Sequence, residues 1–214
     1  MKSYNTYLFD ADGTLFDTAD LVCNCFQYVA QKYTSISLAR QAILSGYGLP
    51  LKGQLIKQLG DDLDIDEVLE DFISYQMQIL EDNIRPFPGV LRTLKTLKQA
   101  GKKLAIVTSR KRYSMNRILE ITDTAQYFDT LVNPEDTTLH KPNAEPALLA
   151  ISRLGSDKAN TVFIGDSQYD ILSGNAAGID TVIVGWSHMD PDTLPVQPTW
   201  KIDHMENLVS GLSS

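Results

Sequence analysis

The chain has 214 residues, 43% hydrophobic and 21% charged, with a formal net charge of −8, a size that suits one α/β domain or a core with a smaller accessory domain. The acidic balance argues against broad binding to nucleic acid or to anionic membranes, which favour basic surfaces, but leaves room for a locally positive site for a small anion. No apolar run approaches the roughly 20 residues that cross a bilayer, and the polar N-terminal lead lacks a secretory pattern, so a cytoplasmic protein is expected.

Tyr4–Phe9 predicts a first buried strand. It runs into Asp10-Ala11-Asp12-Gly13-Thr14, where two carboxylates follow an apolar stretch and precede a glycine turn. Carboxylates this close repel one another and resist desolvation, so a strand end of this kind suggests a cation and a phosphate as partners. An ordinary turn is the alternative, since Asp-Gly is a common turn pair.

From about Asp17 to Asp82 the pattern is helical. Leu21, Val22, Cys25, Phe26, Val29 and Ala30 recur at helix spacing, as do Val68, Leu69, Phe72 and Leu80. Cys23 and Cys25, the only cysteines, diverge on a helix and have no further ligands nearby, which predicts reduced, unpaired thiols. Gly46-Tyr47-Gly48-Leu49-Pro50 interrupts the helices with strong turn signals.

Beyond Pro86-Phe87-Pro88-Gly89 helices and strands alternate. Val90, Leu91, Leu94 and Leu97 form a helical stripe with Gly101 placed to cap it, followed by a strand at Leu104–Val107. A helix through Met115, Ile118 and Leu119 precedes a strand at Thr130–Val132, and Ala147, Leu148, Ile151 and Leu154 mark a helix closed by Gly155. Strands at Thr161–Ile164 and Thr181–Val184 flank a short helix ending near Gly178; Gly185–Thr199 then reads as loop and Met205–Leu212 as a closing helix. Continuous apolar strands between helices predict a parallel sheet covered on both faces.

Such sheets hold ligands beyond the carboxyl ends of their strands. Those ends carry Asp10 and Asp12, then Thr108 and Ser109, then Asp166 with Ser167 and Asp170, while Lys141 supplies a cation just before a helix. Arg110, Lys111 and Arg112 either face an anion or begin a solvated helix, and the solvated reading is the simpler one. Trp186, His188 and Trp200 fall in late loop and read as packing.

In this order the motifs Asp10-Ala11-Asp12-Gly13-Thr14, Thr108, Lys141 and Gly165-Asp166-Ser167-Gln168-Tyr169-Asp170 resemble the haloacid dehalogenase-like superfamily, over essentially the whole chain. The resemblance implies a Rossmann-like α/β core, residues 1–16 and 83–214, with an inserted all-α helical cap, residues 17–82. It implies a Mg²⁺-dependent phosphatase of small phosphorylated metabolites. Asp10 would be the nucleophile forming an aspartyl-phosphate, and Asp12 the acid and base, partly protonated under the influence of Asp10. Lys141, Thr108 and Ser109 would hold the phosphate. Asp10, the backbone carbonyl of Asp12, and Asp166 would ligate Mg²⁺, with Asp170 orienting that shell.

Asp12 stands where haloacid dehalogenases have no acid, which points to phosphate esters. The absence of a histidine in Asp17–Val22 lowers a β-phosphoglucomutase-type reading. Phe87-Pro88-Gly89-Val90, Lys141-Pro142 and Gly165-Asp166-Ser167 look most like phosphoglycolate phosphatases, whereas Thr137–Pro146 also resembles bacterial pyrophosphatases. A nucleotide phosphatase and a non-catalytic binding protein complete the alternatives. In related caps the Gly46–Pro50 position carries a substrate-specificity loop; here that role and a plain interhelical turn weigh equally.

Overall fold

The computed structural model describes residues 2–46, 50–189 and 194–210. The chain divides into two compact units, Met1–Asp17 with Pro86–Ser214, and Thr18–Arg85.

The first unit is built on a six-stranded sheet. Its strands are β1 (Thr6–Phe9), β4 (Lys103–Val107), β5 (Thr130–Val132), β6 (Thr161–Gly165), β7 (Asp180–Val184) and β8 (Trp200–Ile202). They lie in the order β5-β4-β1-β6-β7-β8 and every pairing is parallel. The short strands β2 (Phe16–Asp17) and β3 (Arg85–Pro86) pair with each other as the chain leaves and re-enters this unit.

Strands β1 and β6 are buried at every position, as the apolar runs require when both sheet faces are covered. On one face Leu8, Ala105, Val107, Val132 and Phe163 form a cluster with Ala147, Ala150 and Ile151 of α7 (Glu145–Arg153) and Ala177 of α8 (Gln168–Ala177). Side chains alternate along a strand, which turns Tyr7, Phe9 and Ile106, all fully buried, to the other face. There α5 (Val90–Gln99) packs against β4, and α6 (Arg112–Ile121) packs against the 3₁₀ turn at Ala125–Tyr127. In α5 the buried stripe is Val90, Leu94 and Leu97, whereas Leu91 is exposed; Gly101 follows with φ +69°.

The C-terminal expectations need correcting. Trp200 is not in a loop but begins β8, and Thr181 and Thr199 exchange side-chain and backbone hydrogen bonds that carry this edge strand onto β7. Proline-rich sequence just before it masked the strand. Within the described residues the closing helix is a 3₁₀ turn, Met205–Leu208, which buries Met205 and Leu208 and packs against α5, while Gly211 and Leu212 lie outside the described residues.

The second unit contains α1 (Ala19–Tyr33), α2 (Arg40–Leu44), α3 (Leu51–Leu59) and α4 (Ile65–Ile79). Helix α1 buries Leu21, Cys25, Phe26, Val29 and Ala30 against α4, where Phe72 meets Phe26 edge-on at 5.1 Å. Asp64 caps α4 by accepting from the backbone N–H groups of Asp66 and Glu67. Both cysteines are buried and neither is in a disulfide. Tyr47, Gly48 and Leu49 of the loop singled out in the sequence lie outside the described residues. No described helix is long and apolar enough to cross a membrane.

Candidate active site

Strand β1 is flanked by β4 and β6, so the three chemically loaded strand ends are neighbours. Phe9 is level with Ile106 on one side and Ile164 on the other, and the Asp10 N–H donates to the Ile164 carbonyl at 2.9 Å. The order of connections reverses at this strand, where open α/β sheets form a crevice.

Lys141 joins the cluster from the loop before α7. Its ammonium donates to Asp10 Oδ1 at 2.8 Å, Asp170 Oδ1 at 2.7 Å and the Val107 carbonyl at 3.3 Å, and 6% of the side chain is exposed. The loop is held from behind, because Glu145 accepts from the N–H groups of Thr138 and Leu139 and Ser173 donates to the Asn143 carbonyl. Asp170 lies in the first turn of α8, where its Oδ2 accepts from the backbone N–H and the hydroxyl of Ser167. The Ser-x-x-Asp spacing is a helix-start signal, which the sequence carried and the motif reading left unused. Thr14 donates to Asp166 Oδ1 at 3.4 Å, and Ser187 donates to the Asp166 carbonyl.

Carboxylate oxygens of Asp10, Asp166 and Asp170 all lie within 4.8 Å of one another, and all three residues are buried. Burial pushes the Asp10 carboxyl up to about 7; Lys141 opposes this, while Asp170 and Asp12 add to it. Asp166 is raised well above its ordinary value by burial first, then by Asp170 and Asp10. Burial alone would lower Lys141, but Asp10 and Asp170 hold it above the usual lysine value. Three carboxylates against one ammonium leave the cluster two charges short of balance, so its donor set and its charge both fit a hard divalent cation.

Thr108 is buried at the end of β4, its hydroxyl accepting from the Arg110 N–H at 3.1 Å, whereas Ser109 is exposed. The carboxylate of Asp12 stands apart from the three-acid cluster and is paired elsewhere. Arg110 donates to it twice, Nε to Oδ2 at 2.9 Å and Nη2 to Oδ1 at 2.5 Å. The solvated helix start expected for this segment therefore holds for Lys111, which is exposed, and fails for Arg110, whose side chain is 8% exposed. Arg110 lies before α6, where Asn133 grips its carbonyl and Thr108 its N–H. Arg112 is turned away from the acids, bridging Asp136 at 2.6 Å. At the far end of the sheet Trp200 donates to Tyr4 Oη at 2.9 Å, whereas Trp186, just past the carboxyl end of β7, packs on Phe87 at 5.6 Å.

The sequence matches the description haloacid dehalogenase-like hydrolase over residues 7–184. The chain belongs to this family. Among its relatives, the pyrophosphatase PpaX of Bacillus pumilus is 34% identical over 210 residues, 98% of this chain and 96% of that protein. PpaX of Oceanobacillus iheyensis is 30% identical over 209 residues, 97% and 96% of the two chains. A haloacid dehalogenase-like hydrolase of Bacteroides fragilis, 28% identical, superposes with a TM-score of 0.88 over 96% of this chain and 100% of its own. A predicted phosphoglycolate phosphatase from Haemophilus somnus shares the family fold at 22% identity, with a TM-score of 0.89 over the whole of both chains.

Proposed function

We propose that this family member is a Mg²⁺-dependent phosphatase of small phosphorylated metabolites that works through an aspartyl-phosphate on Asp10. The observation that carries the reading is the convergence of Asp10, Asp166, Asp170 and Lys141 at adjacent strand ends. Asp10, Asp166 and the backbone carbonyl of Asp12 would hold the ion, and Asp170 would orient Lys141. When bound, the cation supplies charge that offsets repulsion between phosphate and the carboxylates.

Asp10 attacks phosphorus; a new O–P bond forms as the bond to the leaving oxygen breaks. Asp12 gives that oxygen a proton, then takes one from the water that splits the acyl phosphate and returns Asp10 and free phosphate. Thr108 and Lys141 hold phosphoryl oxygens. Thr18–Arg85 serves as the cap, which sets the substrate.

For the substrate, the likeness to pyrophosphatases over nearly the whole chain puts inorganic diphosphate ahead of phosphoglycolate. A Mg²⁺-dependent phosphate-release screen over diphosphate, phosphoglycolate, nucleoside monophosphates and sugar phosphates tests this directly. Turnover of at least one is expected, and Asp10→Asn should abolish it with the fold intact. A protein that releases phosphate from none of them, or an Asp10→Asn variant with full activity, refutes the mechanism.

A further inference from the structure

An arginine reaches the burial of Arg110 only when its donors are met. Two of them meet Asp12 in the parallel, two-bond contact that matches a guanidinium to a carboxylate. A third, on Nη1, donates to Ser114 Oγ at 2.8 Å, one turn into α6. The backbone is pinned on both sides, N–H to Thr108 Oγ1 at 3.1 Å and C=O to Asn133 Nδ2 at 2.8 Å. Asn133 is itself tied down at the end of β5, where its N–H donates to Asp136 Oδ2 at 2.9 Å. The ends of β4 and β5 thus fix the Arg110 backbone, α6 holds its guanidinium through Ser114, and the same guanidinium grips Asp12.

The consequence lies in the geometry of Asp12. The terminal torsion of an aspartate is broad, so a carboxylate on a single contact can swing. A fork to both oxygens leaves it one plane. We propose that Arg110 is a positioning residue for Asp12: from a socket made by Thr108, Ser114 and Asn133 it sets the plane of the carboxylate that exchanges a proton with the leaving oxygen. The inference rests on the acid/base role proposed for Asp12. When the phosphorus–oxygen bond breaks, its electron pair goes to the leaving oxygen, which takes the proton from one Asp12 oxygen. The other oxygen stays in the hold of Arg110, so orientation survives the step. Lysine cannot replace this contact, because an ammonium offers a point charge where the fork offers two parallel donors.

The test varies the leaving group. Wild type, Arg110→Lys, Arg110→Ala and Ser114→Ala are assayed with Mg²⁺ on an alkyl phosphate, whose leaving oxygen needs a proton, and on 2,4-dinitrophenyl phosphate, whose leaving oxygen does not. For Arg110→Lys and Arg110→Ala, kcat on the alkyl ester is expected to fall about 10- to 100-fold, a loss of part of the roughly 100- to 10,000-fold that a general acid contributes. On the dinitrophenyl ester it should change by less than about 3-fold, with KM steady on both. Ser114→Ala should shift the same ratio in the same direction by a smaller factor. In an Asp12→Asn background, Arg110→Lys should cost nothing further, since residues acting through one another are not additive.

Melting curves and near-ultraviolet dichroism establish that each variant is folded. Arg110→Lys keeps the charge and most of the stem, so it carries the comparison even where Arg110→Ala does not fold. Equal losses on both esters, an additive cycle with Asp12→Asn, or a rise in KM alone each overturn the proposal; the last would make Arg110 a grip on the substrate's anion. A wild type that hydrolyses neither these esters nor any substrate of the phosphate-release screen, diphosphate included, strikes instead at the phosphatase reading, so the two failures are told apart.

Discussion

A methyl group on residue 13 would stand 2.3 Å from Asp166 Oδ2, and the backbone there has φ +75°. The close approach lets the turn after Asp10 fold over the acid at the end of β6, and the positive φ costs an L side chain about 1–2 kcal/mol. Gly13→Ala should therefore lower the melting temperature and remove phosphate release together, because Asp166 is displaced. Unchanged activity would mean that Asp166 can move without consequence. Lys141 poses the opposite case, since it is the ammonium among three buried acids. Truncation to Ala leaves buried charge unpaired, and urea unfolding of the metal-free protein at pH 8 should show a loss of about 3–5 kcal/mol. Each of these positions was legible in the sequence, because carboxylates, a glycine and a lysine at apolar strand ends are unusual enough to stand out. Arg110 was not. A basic residue beside a helix start has a solvated place by default, and only the tertiary contacts through Asn133 and Ser114 turn it inward.

At the level of elements, the junction after β5 is fastened by one carboxylate. Asp136 accepts from the Asn133 N–H and bridges Arg112 at 2.6 Å and Arg153 at 2.7 Å, which ties α6 and α7 to the loop that supports Arg110. Burial would raise this carboxyl, but Arg153, the Asn133 amide and Arg112 outweigh it and hold it at about 2. A pKa below the unfolded value of about 3.9 means that the stabilisation is complete above the unfolded pKa and is lost as pH falls toward 2. Asp136→Asn should lower the melting temperature by several degrees at pH 7, and the gap from wild type should narrow between pH 4 and pH 2. A gap that stays constant across that range would show that the charge is irrelevant there. The core strands were readable because burial on both faces leaves uninterrupted apolar runs such as Thr161–Ile164. The two-residue pairing of β2 with β3, the edge strand β8 and the 3₁₀ turn at Met205–Leu208 were not, because short elements owe their existence to neighbours far along the chain.

For the whole molecule, the acid cluster makes stability depend on pH in a way a net charge of −8 alone would not, and a bound cation should change that dependence. Asp10 is raised to about 7 and Asp166 is raised with it, so the metal-free folded state takes up protons that the unfolded chain, with carboxyl pKa values near 4, does not. Folded pKa values above unfolded ones have a definite sign: this contribution is complete below the unfolded value of about 4 and is lost as pH rises through about 7. In chelator, the melting temperature of the wild type should fall from pH 5.5 to pH 8 relative to Asp166→Asn, which removes one of the crowded charges. Millimolar Mg²⁺ should then raise the wild-type melting temperature at pH 8 and flatten the profile, a hundredfold excess over the dissociation constant stabilising the fold by about 2.7 kcal/mol. Asp166→Asn should respond far less. A metal-free profile parallel to that of Asp166→Asn, with no shift on adding Mg²⁺, would mean that the buried acids are balanced by the protein alone, and the site would then need a ligand of another kind.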